Sequence, residues 1–258
     1  MSERELIERA CETIEGYLAL GNERLEACGA TFIRNRTTPS RYDANHVGLI
    51  RDASSFQAML ARADIEYAHL DYRQFDIDPL TPPEVEAGLC LAGFSRWSAH
   101  LVMVLDGELK ASPMPYSIRE VVGEDAWQAF GRLQAVDHLE YNQRLGRPSP
   151  EPSDEWLAYT RAKSPAARTW LAYIEDVAAG YFTSWPGRNG VGQVEDLFTH
   201  PDHRHRGIAT TLIAHCTADA RQRGAGPVLI SADAADTPKQ MYADMGFRPL
   251  FVARSQYR

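Results

Sequence analysis

The first apolar positions, Leu6, Ile7, Ala10, Ile14, Tyr17 and Leu18, recur at helical spacing between Glu3, Arg4, Glu5, Glu8, Arg9 and Glu12. That pattern predicts an amphipathic helix, and its charges interrupt any apolar run of the kind a secretory signal needs. Two short apolar runs, 30–34 and 46–50, read as strands around a polar turn region. Phe56, Met59 and Leu60 mark one face of a helix over 55–62, and the aromatic stretch 67–75 reads as a strand. Thr81-Pro82-Pro83 predicts a helix start, with Thr81 as N-cap and proline in the first turn. This helix runs to Gly93-Phe94 and is followed by an apolar strand, 97–105, closed by Asp106-Gly107.

Residues 111–115, rich in proline, read as a linker. A strand over 116–122 opens the second part, and Trp127, Phe130, Leu133 and Val136 set a helix. The prolines of 147–153 break it, and a second helix starts at Asp154. Strands over 169–174 and 177–184 are joined tightly through Glu175-Asp176, and Gly187–Gly190 turns into a strand that ends at Leu197-Phe198. Pro201-Asp202 stops that strand. From Ile208, the positions Ile208, Leu212, Ile213 and Cys216 follow a helical period, and Gly224 stands where a left-handed helix end is expected. A strand over 227–232 follows, then a helix from Thr237 with Pro238 at its first position, and an apolar strand after Gly246-Phe247.

Composition narrows the choices. The 258 residues have an ordinary globular balance and a formal net charge of −8, which argues against a general nucleic-acid partner. No stretch is apolar enough to span a bilayer. Cys11, Cys28, Cys90 and Cys216 lack metal-ligand or disulfide-framework spacing, so reduced thiols and a cytoplasmic location are expected. His200, His203 and His205 crowd one loop without a second ligand cluster, so no metal is expected. The basic run at 203–206 is therefore local. Set in a glycine-containing loop that opens a helix, it predicts a site for a small anion, since the free N–H groups and positive dipole end point outward. Gly207 lets the backbone come close to that ligand without a Cβ in the way.

The residues Arg204-His205-Arg206-Gly207-Ile208-Ala209 resemble the Arg/Gln-x-x-Gly-x-Gly/Ala signature of the GNAT family of N-acetyltransferases. One helix and one strand later, residues 237–247 are similar to that family's helix ending in Tyr-x-x-x-Gly-Phe, with Tyr242, Gly246 and Phe247 in those places. The resemblance covers roughly residues 116 to 258. It implies a mixed central sheet flanked by helices, an α/β (α+β) class, and a catalytic domain over 116–258. Residues 1–110 repeat the latter half of that order, with Ala92-Gly93-Phe94 matching Met245-Gly246-Phe247, and read as a degenerate GNAT-like domain. Their counterpart of the anion loop, Arg51-Asp52-Ala53-Ser54, has no glycine and no paired basic residues, and Leu89 stands where Tyr242 does.

The resemblance further implies acetyl-CoA as co-substrate and a primary amine, on a small molecule or peptide, as acceptor in a ternary complex. The loop from Arg204 through His205, Arg206, Gly207, Ile208 and Ala209 to Thr210 would take the pyrophosphate. Main-chain groups of Leu197, Phe198 and Thr199 would pair with the pantetheine arm. Tyr242 would protonate the leaving thiolate, and a carboxylate would deprotonate the ammonium. Glu195 is favoured over Asp196 for that role, the two facing opposite ways on a regular strand. Asp137, Glu140, Tyr141, Trp156 and Tyr159 are candidates for the acceptor wall. A non-catalytic acyl-CoA-binding or sensing protein is the alternative function, and a monomer or homodimer is expected.

Overall fold

The computed structural model describes residues 1–144, 146, 154–235 and 237–258; the proline-rich break at 147–153 and Asp236 lie outside these. The described residues group into two compact units, Met1–Val104 with Leu229–Arg258, and Leu105–Val228.

In the first unit, helix α1 (Glu3–Leu18) starts at Ser2, whose hydroxyl accepts the Glu5 N–H at 3.2 Å. It is followed by β1 (Glu23–Ala27), β2 (Ala30–Arg34), β3 (His46–Gly48), α2 (Phe56–Glu66), β4 (Gln74–Ile77), α3 (Pro83–Leu91) and β5 (Arg96–Leu105). The end of the chain adds β10 (Val228–Asp233), α7 (Pro238–Asp244) and β11 (Arg248–Tyr257). Strand order here is β1-β2-β3-β4-β11-β5-β10, so the last strand of the chain lies between two strands of its first half. It pairs antiparallel with both, Tyr257 standing opposite Gln74 and Arg96, whereas β3 and β4 run parallel. Phe32, Val47, Met59, Tyr67, Phe75, Leu89 and Phe94 form the core. Below them, fully buried His46 lies 3.2 Å from Glu15 and 3.6 Å from Asp76. Burial lowers its pKa, but the two carboxylates reverse this and hold it at about 9.

Two local expectations are corrected in this unit, and one strand, β1, lies where none was expected. The stretch 67–75 is not a strand: only Gln74 and Phe75 belong to β4, and Tyr67 ends α2 instead. Its phenol donates to the carbonyls of Ile33 and His46, so its aromatic character serves a buried hydrogen bond. Thr81 does not cap α3, which begins behind Pro82; its hydroxyl accepts the Asp78 N–H at 3.2 Å. Strand β1 gave no apolar signal because Glu23, Arg24, Leu25 and Glu26 are all exposed at a sheet edge.

The repeated helix ends have the same geometry. Gly93 (φ 87°) and Gly246 (φ 98°) are left-handed. Behind each, the Phe94 and Phe247 N–H groups reach back to the carbonyls of Leu89 and Tyr242, both at 3.0 Å. The start of α2 differs from the basic loop of the other half in a telling way. Asp52 accepts from the Ser54 N–H at 2.9 Å and from the Ser54 and Ser55 hydroxyls at 2.6 and 2.7 Å. These bonds, from Ser54 first, hold its carboxyl below the usual range. The chain brings its own anion to that loop.

The second unit is an antiparallel meander, β6 (Ser117–Glu120), β7 (Arg168–Ile174), β8 (Val177–Trp185) and β9 (Gly192–Thr199), ordered β9-β8-β7-β6. Successive residues of β8 face opposite sides. Tyr181 joins Phe198, Leu171 and the α4 (Glu124–Arg144) residues Trp127, Phe130 and Leu133 on one face, near α5 (Asp154–Ala162). Gly180 meets helix α6 (Ile208–Gln222) on the other. A Cβ on Gly180 would stand 2.7 Å from the Phe198 carbonyl oxygen and 3.1 Å from Ile208 Cγ2. One on Gly192 would stand 2.7 Å from Ala225 Cβ. Helix α6 ends as expected at left-handed Gly224 (φ 102°), with the Ala225 N–H on the Ala220 carbonyl at 3.0 Å.

Both units are thus mixed or antiparallel sheets flanked by helices, the expected α+β class. The tight seat of α6 is testable. Gly180→Ala should lower the free energy of unfolding by about 1–3 kcal/mol, as overpacking does, read from the urea midpoint. An unchanged midpoint would mean that α6 has room to spare.

Candidate functional site

The loop between β9 and α6 is built to leave donors unpaired. His200 anchors it, its N–H on the Ala179 carbonyl at 2.9 Å, and a single helical turn follows at Pro201–His203. His205 (φ 60°) and Gly207 (φ 80°) then adopt the left-handed conformation on either side of Arg206. Such alternation gathers successive N–H groups into an anion-binding concavity. The first return bond of the helix runs from the Thr211 N–H to the Gly207 carbonyl at 3.0 Å. From His205 through Thr210, therefore, no main-chain N–H has an acceptor among the described residues.

Two arginines flank these donors in different states. Arg206 is exposed, and its guanidinium has no hydrogen-bond or ion-pair partner among the described residues. Arg204 donates to both carboxylate oxygens of Glu140 on α4, at 2.7 and 2.5 Å, and to the Thr199 carbonyl at 3.1 Å. The pair holds the Glu140 carboxyl below its usual range and the Arg204 guanidinium above its own.

The expected linker, through Met114, and the expected strand after it, through Tyr116, also touch this loop. The Met114 N–H donates to the Thr211 hydroxyl at 2.9 Å, and the Tyr116 phenol donates to the Arg206 carbonyl at 2.7 Å. A Cβ on Gly207 would stand 2.9 Å from Met114 Cγ. Nothing in the spacing of the sequence linked these prolines and aromatics to a loop so far along the chain.

Strand β9 carries the other expected groups. Its ladder with β8 slips, Tyr181 facing Phe198 while Thr183 faces Glu195. The extra residue is Asp196, left-handed at φ 63°. Simple alternation between Glu195 and Asp196 therefore does not apply across this bulge. Thr183 lies two residues beyond Tyr181, so Glu195 shares the α4 face with Phe198. Its carboxylate accepts from the Gln193 amide at 2.8 Å. Asp196 is exposed. Leu197 is half-buried, Phe198 is in the core, and the Thr199 carbonyl is the one taken by Arg204.

Tyr242 belongs to the first unit, on α7, while the loop and β9 belong to the second. It is buried, with its ring 6.2 Å from that of Phe247. Thr237 and Pro238 take the expected first positions of its helix.

Of the five acceptor-wall candidates, four are visibly engaged elsewhere. Tyr159 is buried under Lys163, Trp156 packs on His138 at 4.2 Å, Tyr141 lies under Arg144, and Glu140 holds Arg204. Asp137 accepts the Tyr181 phenol at 2.6 Å. Among the described residues no group of three or more His, Cys, Asp or Glu could hold a metal ion, and no helix is long and apolar enough to cross a membrane.

Comparison with known proteins places this geometry. Residues 133–247 match the model of the acetyltransferase (GNAT) family. No curated protein matches the chain in sequence. Among solved structures, a GCN5-related N-acetyltransferase from Kribbella flavida is similar over 98% of this chain and 95% of its own, with a TM-score of 0.73 at 15% identity. A functionally unknown conserved protein from Staphylococcus epidermidis is similar over 93% and 94%, with a TM-score of 0.65 at 12% identity. A tandem GNAT protein from the clavulanic acid biosynthesis pathway is similar over 81% and 70%, with a TM-score of 0.59 at 15% identity. At such identities the likeness is one of fold, and it extends through the first half of the chain. Residues 133–247 are a domain of the GNAT acetyltransferase family, carried in a chain whose fold as a whole is shared with GCN5-related and tandem GNAT proteins.

Proposed function

We propose that this protein is an acetyl-CoA-dependent N-acetyltransferase that moves an acetyl group to a primary amine by direct attack in a ternary complex. The observation that carries the reading is the run of unpaired N–H groups from His205 to Thr210, beside an arginine with no partner among the described residues. A pyrophosphate supplies the acceptors and the negative charge that such a helix start favours. Arg204 would join by exchanging its Glu140 partner for phosphate. An exposed ion pair of this kind is worth at most about 1 kcal/mol, so the exchange costs little.

The chemistry then asks for few groups. The amine loses a proton and attacks the thioester carbonyl, the C–S bond breaks, and the thiolate is protonated as it leaves. Tyr242 is proposed for that last proton on the strength of its place four residues before Gly246. Glu195 on β9 is the strand's own candidate for the first. Main-chain groups of Leu197, Phe198 and Thr199 are proposed to hold the pantetheine arm, as an added strand would. The reading assigns catalysis to 116–258 and leaves 1–110 as a degenerate copy, whose anion loop Asp52 already fills.

Gly207→Asp puts a carboxylate and a Cβ where phosphate oxygens would lie. Acetyl-CoA affinity should fall at least about tenfold, or about 1.4 kcal/mol, with circular dichroism unchanged. Calorimetry showing the wild-type affinity would remove this loop from the site.

Tyr242→Phe keeps the ring and removes the hydroxyl. Single-turnover acetyl transfer should slow by about 10²-fold, the lower end of general-acid contributions, while acetyl-CoA still binds. An unchanged single-turnover rate would leave Tyr242 a packing residue beside Phe247.

A further inference from the structure

The α4 face of β8 and β9 holds a carboxylate whose setting differs from that of every other acid in the loop region. Asp137 is half-buried on α4, and one of its oxygens accepts the Tyr181 phenol at 2.6 Å. Tyr181 is itself buried and wedged between Phe130, at 4.8 Å edge-on, and Phe198, at 5.5 Å. Its hydroxyl therefore holds one rotamer of Asp137, while the second carboxylate oxygen makes no hydrogen bond among the described residues. Three charged groups beyond that phenol, and burial itself, act on its ionisation. Asp196 at the β9 bulge and Glu140 on α4 repel its charge, Arg204 in the loop attracts it, and removal from water disfavours it most.

We infer that Asp137, oriented by Tyr181, receives the acceptor ammonium and takes its proton, with Glu195 as the competing candidate. This rests on the acetyltransferase reading given above. Three observations favour Asp137 over Glu195. Glu195 is occupied by the Gln193 amide. Asp137 keeps an oxygen free and is held by a rigid buried donor. Its neighbours also push its pKa up to about 6, through burial first and then the charges of Asp196 and Glu140, against the Tyr181 bond and Arg204. A carboxyl titrating there is ionised at neutral pH and is a better base than one near 4.

The step balances with the groups named. The ammonium gives one proton to Asp137, and the freed lone pair on nitrogen bonds to the thioester carbon. As the tetrahedral adduct collapses, the C–S bond electrons leave on sulfur. The nitrogen loses its second proton, the sulfur gains one, and a single net proton passes from Asp137 to water. An amine whose carbon chain is itself cationic or polar suits a carboxylate lying between Asp196 and Glu140 better than an apolar amine would.

The test is CoA release by the whole chain at saturating acetyl-CoA, with spermidine, an aminoglycoside and a peptide with a free N-terminus as probe amines, followed across pH 5 to 9. Calorimetry gives acetyl-CoA binding beside it. Wild-type kcat/KM should fall below about pH 6, the value set by Asp137. Asp137→Asn, in which Tyr181 can still donate to the amide oxygen, should cut the rate by about 10²-fold, abolish that limb and leave acetyl-CoA affinity unchanged. Tyr181→Phe removes a bond that favours the ionised carboxylate, so its limb should move to higher pH with the core intact. Glu195→Gln should keep the limb where it is. The inference is overturned if Asp137→Asn stays within threefold of wild type, or if Glu195→Gln removes the limb. It also falls if acetyl-CoA binds and none of the probe amines is acetylated. Failure of the wild type to bind acetyl-CoA would sink the acetyltransferase reading itself.

Discussion

The close approach of α6 to β8 and β9 is the constraint on which the anion loop depends. It exists because Gly180 and Gly192 present no Cβ to the helix. Ile208 and Leu212 settle over Gly180, and Ala220 and Ala225 over Gly192, so both ends of the helix are fixed to the sheet. The far end is tied again by the Gly192 and Gly226 N–H groups, which donate to the carbonyls of Pro227 and Gly190 at 2.9 Å each. With both ends fixed, the short loop from His200 to Gly207 has little freedom. It turns by placing His205 and Gly207 in left-handed backbone, a cost that non-glycine His205 bears and the surrounding packing sustains. The unpaired N–H groups follow from that turn.

One chain shows two answers to the same problem of a helix start. Before α2, Asp52 and its two serines satisfy the loop from within, and Arg51 is spent on Asp78 at 2.8 Å. Before α6, no side chain among the described residues supplies an acceptor and the donors stay open. The difference is chemical rather than topological, since the Gly-Phe helix ends that follow in each half have matching geometry. The first half therefore shares the geometry of that helix end but fills the loop before its helix with an anion of its own. Arg204 shows an intermediate state in the second half, held by Glu140 on the helix whose neighbouring turn carries Asp137. A phosphate that draws Arg204 away would also alter the charges around Asp137, because both arginine and glutamate act on it.

How much could be read from residues alone follows from the range of the interactions. Periodicity placed α1, α4, α6 and the strands around Gly187, and the chemistry of Arg204–Thr210 and of Gly224 is local enough to be visible in a short window. Tyr67 was misplaced because an aromatic in an apolar run looks the same whether it lines a strand or donates to two carbonyls from a helix end. Strand β1 left no trace because exposed edge residues have no reason to alternate. The Asp196 bulge is a backbone choice of a single residue, so the alternation argument for Glu195 could not foresee it. Arg204 with Glu140, and Asp137 with Tyr181, join residues 64 and 44 positions apart, and only the packing of α4 on the meander brings them together.

The central claim is that the open N–H groups after β9 are an anion site for the pyrophosphate of acetyl-CoA. The most direct measurement is a titration of uniformly ¹⁵N-labelled protein with CoA, following every assigned amide. The account predicts saturable shifts concentrated on the amides of His205 to Thr210, with those of Asp52 to Phe56 unmoved. Shifts centred on the start of α2, or none in the β9–α6 loop at saturating CoA, would contradict it.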